Sequence, residues 1–247
     1  MRELERPERR RAAAVDRWSG SRHVVQVRPH VWGWVAARVR SENVLEIGPG
    51  LRPTAPIATS SFVDVSPHAL AILERHGATT REAAERLPFE PNAFDAALAF
   101  EVLEHVEDDR SLLDEIARVI RPGGLFLLST PVHAARWSTL DDACEHVRRD
   151  EPEELFGKLR TAGLEPGGYA WSPPPRRAVT AVRAAALTRD RRLATAFVQR
   201  WIFPIQAAYQ RRFARLRWTD PDVPVPPAAD DLLVWTRRRD GGAERTG

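Results

Sequence analysis

The chain has 247 residues, 43% of them hydrophobic, enough for one large α/β domain or for a core plus a small appendage. Its 37 basic and 34 acidic side chains give a formal net charge of +3, a balance that weighs against a nucleic-acid partner; Lys158 is the only lysine, and the arginine excess fits GC-rich codon usage. A single cysteine, Cys144, excludes a disulfide framework and points to a reducing, cytoplasmic compartment, and neither a secretory signal nor a run of about 18 apolar residues is expected.

Residues 1–28 are charged and Pro-interrupted, and read as an N-terminal tail or lid. From Pro29, HVWGWVAARV has helical spacing, with proline at the helix start. VLEI (44–47) is aliphatic and closed by Gly-Pro-Gly, the pattern of a central strand. SFVDV (61–65) is a second strand, and Ser66-Pro67 caps a helix that Gly77 ends. A weak third strand is expected within 78–83 and a strong fourth at FDAALAF (94–100). SLLDEIARVI (111–120) is an amphipathic helix with Leu112, Leu113, Ile116, Val119 and Ile120 on one face. Arg121-Pro122-Gly123-Gly124 should stop it, ahead of a buried strand LFLLST (125–130). A helix over 152–163, strand potential through GGYAWS and a last strand DLLVWTR (231–237) complete the pattern. Alternating strands and helices predict a parallel sheet covered on both faces.

The segment 176–218 breaks that rhythm. It is Arg-rich with spaced aliphatics, reads as a helical insertion, and leads into a Pro-rich linker over 219–229. Trp201, Ile202, Ile205, Tyr209, Phe213 and Leu216 form an apolar stripe ringed by arginine. The plain reading of that stripe is a helix packed on the domain; it also suits a substrate cover, a dimer surface, or peripheral membrane contact through 195–218. The core is then 29–175 with 230–240, and the insertion 176–229 covers the substrate.

Ligands of open parallel sheets bind beyond the carboxyl ends of the strands, where strand order reverses. The turn Gly48-Pro49-Gly50 would lie there, beside Asp64 and Val65 at the tip of the second strand. A carboxylate so placed can accept from both ribose hydroxyls of an adenosine. A dinucleotide needs a third glycine and a helix N-terminus facing its pyrophosphate; here that position is Pro53 and little chain is left for a helix. S-adenosylmethionine has no phosphate and makes no such demand.

Four stretches, VLEIGPG, FVDVSPHAL, ERLPFEPNAFDAALAFEVLEHVEDD and LLDEIARVIRPGGLFLLSTP, now carry a resemblance to the class I S-adenosylmethionine-dependent methyltransferases of the type 11 small-molecule group. The resemblance implies a Rossmann-like, doubly wound, mostly parallel seven-stranded α/β sheet with an antiparallel last strand. It implies S-adenosylmethionine as cofactor and a small-molecule acceptor, most simply methylated at oxygen. Carried over, Glu46, Gly48, Pro49 and Gly50 would shape the methionine pocket and Asp64 and Val65 the ribose site. Glu85 and Leu87 would enclose the adenine, and Phe100 and Glu101 would meet the methionine amino group. Two departures stand out: Arg52 replaces a frequent glycine, and Ala83 replaces a frequent acid, leaving Glu82 or Glu85 to serve the adenine.

For a hydroxyl acceptor the enzyme must also remove a proton. His105, His133 and Glu101 are the candidates. EVLEH would place Glu101, Glu104 and His105 on one face of a helical turn. The spacing resembles ubiquinone-pathway O-methyltransferases and small-RNA ribose methyltransferases, and with His146 it implies a divalent metal site of Glu101, Glu104, His105 and His146. A nucleotide-dependent oxidoreductase, an RNA methyltransferase and a non-catalytic cofactor-binding protein stay open as alternatives.

Overall fold

The computed structural model describes residues 29–39, 43–83, 86–172 and 217–240. The expected N-terminal tail, nearly all of the 176–218 insertion and Glu85 lie outside them. In chain order the elements are α1 (Pro29–Ala36), β1 (Val44–Ile47), β2 (Ser60–Asp64), α2 (Pro67–Arg75), β3 (Thr79–Glu82), β4 (Phe94–Phe100), α3 (Asp109–Val119), β5 (Ile120–Pro131), α4 (Thr139–Cys144), α5 (Pro152–Thr161), β6 (Leu164–Ser172) and β7 (Asp231–Arg238).

One sheet takes all seven strands in the order β3-β2-β1-β4-β5-β7-β6. Strands β1 to β5 pair in parallel; β7 is antiparallel to both β5 and β6. Strand order reverses between β1 and β4, which puts the turns after these two strands at the ligand-binding edge.

The parallel strands are buried on both faces, and their side chains divide by the period of two. Leu45, Ile47, Ala97, Ala99, Phe126 and Leu128 join one core with α3 and α5. Val44, Phe62, Ala96, Leu98, Leu125 and Leu127 join the other with α1 and α2. On that second face Trp34 packs 4.7 Å from Trp218 and 5.9 Å from Trp235, ring centre to ring centre.

Local signals set several boundaries. The Ser66 hydroxyl accepts from the Ala69 amide (3.1 Å) and Pro67 opens α2. Asp108 caps α3 by accepting from the Ser111 amide (3.0 Å). The expectation that RPGG separates helix from strand is corrected: β5 starts at Ile120, which leaves the helical face assigned to it. Phe94 pairs with Ile120 but Ala96 pairs with Leu125, so Arg121–Gly124 bulges out of the ladder. Gly124 is required there, because a Cβ would come within 2.9 Å of the Asp95 carbonyl oxygen.

The Pro-rich stretch 219–229 packs down on the core. Thr219 exchanges backbone hydrogen bonds with Tyr169 (2.9 and 2.7 Å), and the Tyr169 hydroxyl donates to the Val223 and Pro224 carbonyls (3.2 Å each). Val225 and Ala229 are buried in the core.

Candidate functional site

No helix separates β1 from β2; residues 48–59 are turns, as the short spacing requires. Gly48 has φ +64°, and a Cβ on it would sit 2.8 Å from Val102 Cγ2. The bend is therefore glycine partly because the turn after β4 packs against it. Gly50, also left-handed at φ +52°, donates its amide to Asp64 Oδ2 (2.9 Å), while Asp64 Oδ1 accepts from the Ser66 amide (2.9 Å). The Asp64 side chain thus lies against the bend, buried at the reversal of strand order.

Glu46 is buried within β1 and reaches under the turn. Its carboxylate accepts the Thr54 amide at 2.9 Å on both oxygens and the Ala55 amide at 2.8 Å. It anchors the loop that replaces a helix. Leu87 is buried, and its loop is clamped from α3: Glu115 accepts the Leu87 amide (2.9 Å), and Arg118 donates to the Leu87 and Phe89 carbonyls (3.0 and 2.9 Å).

Past β4 the chain departs from the expected helical turn. Glu101 has φ +57°, its amide donates to the Ser129 carbonyl (2.9 Å), and Leu103–His105 form a single 3-10 turn. Glu101 therefore does not share a helical face with Glu104 and His105, and its carboxylate accepts from the Ser129 hydroxyl instead. Glu104 turns inward and is 1% exposed. Its Oε2 accepts from Thr130 Oγ1 (3.3 Å); its Oε1 is buried and, among the described residues, has no hydrogen-bond partner. Burial, then the neighbouring Glu101 charge, pushes the Glu104 carboxyl well above the usual range.

The expected ligand set comes together in part. Ligand atoms of Glu104, His105 and His146 lie within 4.8 Å of one another, and Glu101 does not belong to that group. The rings of His105 and His146 meet edge to face, 4.8 Å between centres. The Val147 amide donates to the Glu104 carbonyl (2.8 Å), tying the two loops together. His133 stands apart: Nδ1 pairs with Glu151 Oε2 (2.8 Å) and Nε2 lies 3.4 Å from the Pro226 carbonyl oxygen.

The sequence of the chain matches a family described as "Methyltransferase domain" over residues 45–128. It is 30% identical over 160 residues to the ubiquinone biosynthesis O-methyltransferase of Xanthomonas campestris pv. campestris, covering 53% of this chain and 67% of that protein. The chain belongs to the class I S-adenosylmethionine-dependent methyltransferases, in the type 11 group. An uncharacterized methyltransferase of Mycolicibacterium vanbaalenii is 40% identical over 112 residues, 40% of this chain and 44% of that one. The chain spans about a third to just over half of the length of several curated relatives that it matches. The YcgJ protein of Bacillus subtilis shares the fold at 16% identity, with a TM-score of 0.59 over 86% of this chain and 99% of that one.

In this methyltransferase core, sequence reasoning missed two groups at the ligand edge. Asp231 starts β7 opposite Pro131 of β5 and Ser172 of β6, and accepts from the Ser172 hydroxyl (3.2 Å). Burial, then the charges of Glu101 and Asp230, push its carboxyl up to about 7, against the opposing pull of Arg149. The signal was an acid heading the last strand, useful only once that strand is known to run antiparallel. Asp141 is the second. It lies in α4, whose capping box Ser138–Asp141 was legible as Ser-x-x-Asp, and its carboxylate contacts His146. Among the described residues no helix is long and apolar enough to cross a membrane.

Proposed function

We propose that this chain transfers the methyl group of S-adenosylmethionine to an oxygen of a small-molecule acceptor. The observation that carries the reading is the contact of Asp64 with the Gly50 bend where strand order reverses. The residues fit the cofactor: a carboxylate tips β2 and lies against a left-handed glycine bend at the end of β1. Asp64 with Val65 would hold the ribose; Glu46, Gly48, Pro49 and Gly50 would border the methionine; Leu87, Phe100 and Glu101 would complete the wall. The sulfonium supplies an already activated methyl group. What is left to the protein is to align the acceptor oxygen, exclude water and take a proton. Oxygen is favoured by the O-methyltransferase relative.

Glu104, His105 and His146 fit a divalent ion, since one carboxylate and two imidazoles suit a borderline metal and Glu104 brings a buried oxygen without a partner among the described residues. A bound ion would lower the pKa of an acceptor hydroxyl. A second reading of the proton step is favoured by Asp231, a carboxyl held near neutrality at the same edge.

Calorimetric titration with S-adenosylhomocysteine tests the cofactor site. Asp64→Ala should weaken binding at least about 100-fold with an unchanged circular dichroism spectrum; unchanged affinity removes Asp64 from the site. Labelled-methyl transfer to a panel of phenols and catechols then separates the proton readings. EDTA should abolish turnover if an ion acts, and Asp231→Asn should do so if the carboxylate acts.

A further inference from the structure

We propose that Asp141 is the positioning residue of the site: it holds His146 as the tautomer protonated on Nδ1, so that Nε2 is the ring's lone pair. The neutral imidazole has one donor and one acceptor nitrogen, and the partner of one decides the role of the other. His146 Nδ1 lies 2.9 Å from Asp141 Oδ1. Asp141 is fully buried, and it stays ionised because each of its other contacts is a donor. Oδ2 accepts the Ser138 amide (2.7 Å), the Ser138 hydroxyl (2.8 Å) and Arg149 Nη2 (3.2 Å); Oδ1 also accepts Arg149 Nε (2.7 Å). An ionised carboxylate can only accept, so the proton on this hydrogen bond belongs to His146 Nδ1.

The arrangement is rigid as well as polar. Arg149 also donates to the Val132 carbonyl (3.2 Å) and Asp230 Oδ1 (3.0 Å), so one guanidinium joins Asp141 to the end of β5 and the approach to β7. His146 is thus oriented from a buried carboxylate fixed to three elements, beside His105 and the buried Glu104 carboxylate. A carboxylate behind a ligating or proton-accepting imidazole sets its tautomer and raises its basicity. The part of the inference that concerns metal affinity rests on the ligand set proposed above; the part that concerns the tautomer does not.

The test uses the full chain labelled with 15N-histidine, His146 being assigned from the resonance lost in His146→Gln. Long-range 1H–15N correlation should show His146 protonated on Nδ1. In Asp141→Asn the amide offers an N–H where a carboxylate oxygen stood, and His146 should switch to the Nε2-protonated form. Cobalt(II), read by its visible absorption, should bind Asp141→Asn about 10- to 100-fold more weakly than the unmodified chain. A His146 protonated on Nε2 in the unmodified protein overturns the proposal, whether or not any variant folds. So does an Asp141→Asn protein that keeps both the Nδ1 proton and the cobalt affinity. Failure of the unmodified chain to bind cobalt removes the metal reading alone, and the tautomer then decides the role of Asp141.

Discussion

The two halves of the ligand edge treat buried carboxylates in opposite ways. Under β1 and β2, Glu46 and Asp64 spend their oxygens on backbone amides of Thr54, Ala55, Gly50 and Ser66. Past β4 and at the start of β7, Glu104 and Asp231 have one hydroxyl donor each and face another acid, Glu101. The first half uses negative charge to fold a loop that has no helix to shape it. The second keeps acids in an environment that resists their ionisation, which is costly for stability and suited to a site that takes up a cation or a proton.

Glutamine substitution should break this comparison most sharply at Glu46. The Thr54 amide reaches both carboxylate oxygens and the Ala55 amide one of them, so Glu46→Gln turns an amide donor toward backbone donors inside the core. Charge-assisted hydrogen bonds and an orphaned buried N–H together put the loss at about 2–3 kcal/mol. In a domain of this size that lowers Tm by about 5–10 °C, measured by calorimetry at pH 7. A shift within about 1 °C would mean that the loop holds without its anchor.

Much of this division could be read from the chain, and the unread part has two causes. VLEI and FDAALAF are strands because unbroken aliphatic runs suit a sheet covered on both faces, and they fold as such. Ser66 and Asp108 announce helix starts through local hydrogen bonds. The Gly48 bend and Asp64 meet because neighbouring parallel strands put their tips side by side. Some of what escaped depends on pairing across long separations, and some on local backbone paths that residue types do not announce. The bulge at Arg121–Gly124 exists only relative to β4. That Glu46 also anchors the loop was not legible, because the return of Thr54 and Ala55 beneath it has no signature. Asp231 gains its surroundings from the insertion of β7 between β5 and β6. The left-handed backbone of Glu101 defeated a helical-spacing argument in a segment of suitable residue types.

Asp231 sharpens the comparison through pH. Its carboxyl is raised to about 7 in the folded chain and is near 3.9 when unfolded. Between those values the folded state holds a proton that the unfolded state has released, so stability falls as pH rises from about 4 to about 7 and levels off above. Asp231→Asn removes that proton uptake. Because the side chain keeps some contact with solvent and its Ser172 bond persists, the gain should be about 1–2 kcal/mol, or about 3–6 °C in Tm, at pH 8 and close to zero at pH 4.5. A gain of equal size at both values would place the effect in packing rather than in charge.

The smallest effect should come from the substitution that looks most like the first. Glu104→Gln is made in a more buried side chain than Asp231, and burial, then the Glu101 charge, pushes its carboxyl well above the usual range. A neutral amide then resembles the resident group: its carbonyl can accept from Thr130 Oγ1 as Oε2 does. At pH 7 the stability change should stay within about 0.5 kcal/mol, against the large loss at Glu46. Chemical denaturation of the two glutamine variants side by side checks this. If Glu104→Gln costs as much as Glu46→Gln, then Glu104 is ionised in the folded chain and its buried oxygen has found a cationic partner, and the division between the two halves fails. If it costs nothing while cobalt affinity falls, the acid is held there for the ion and not for the fold.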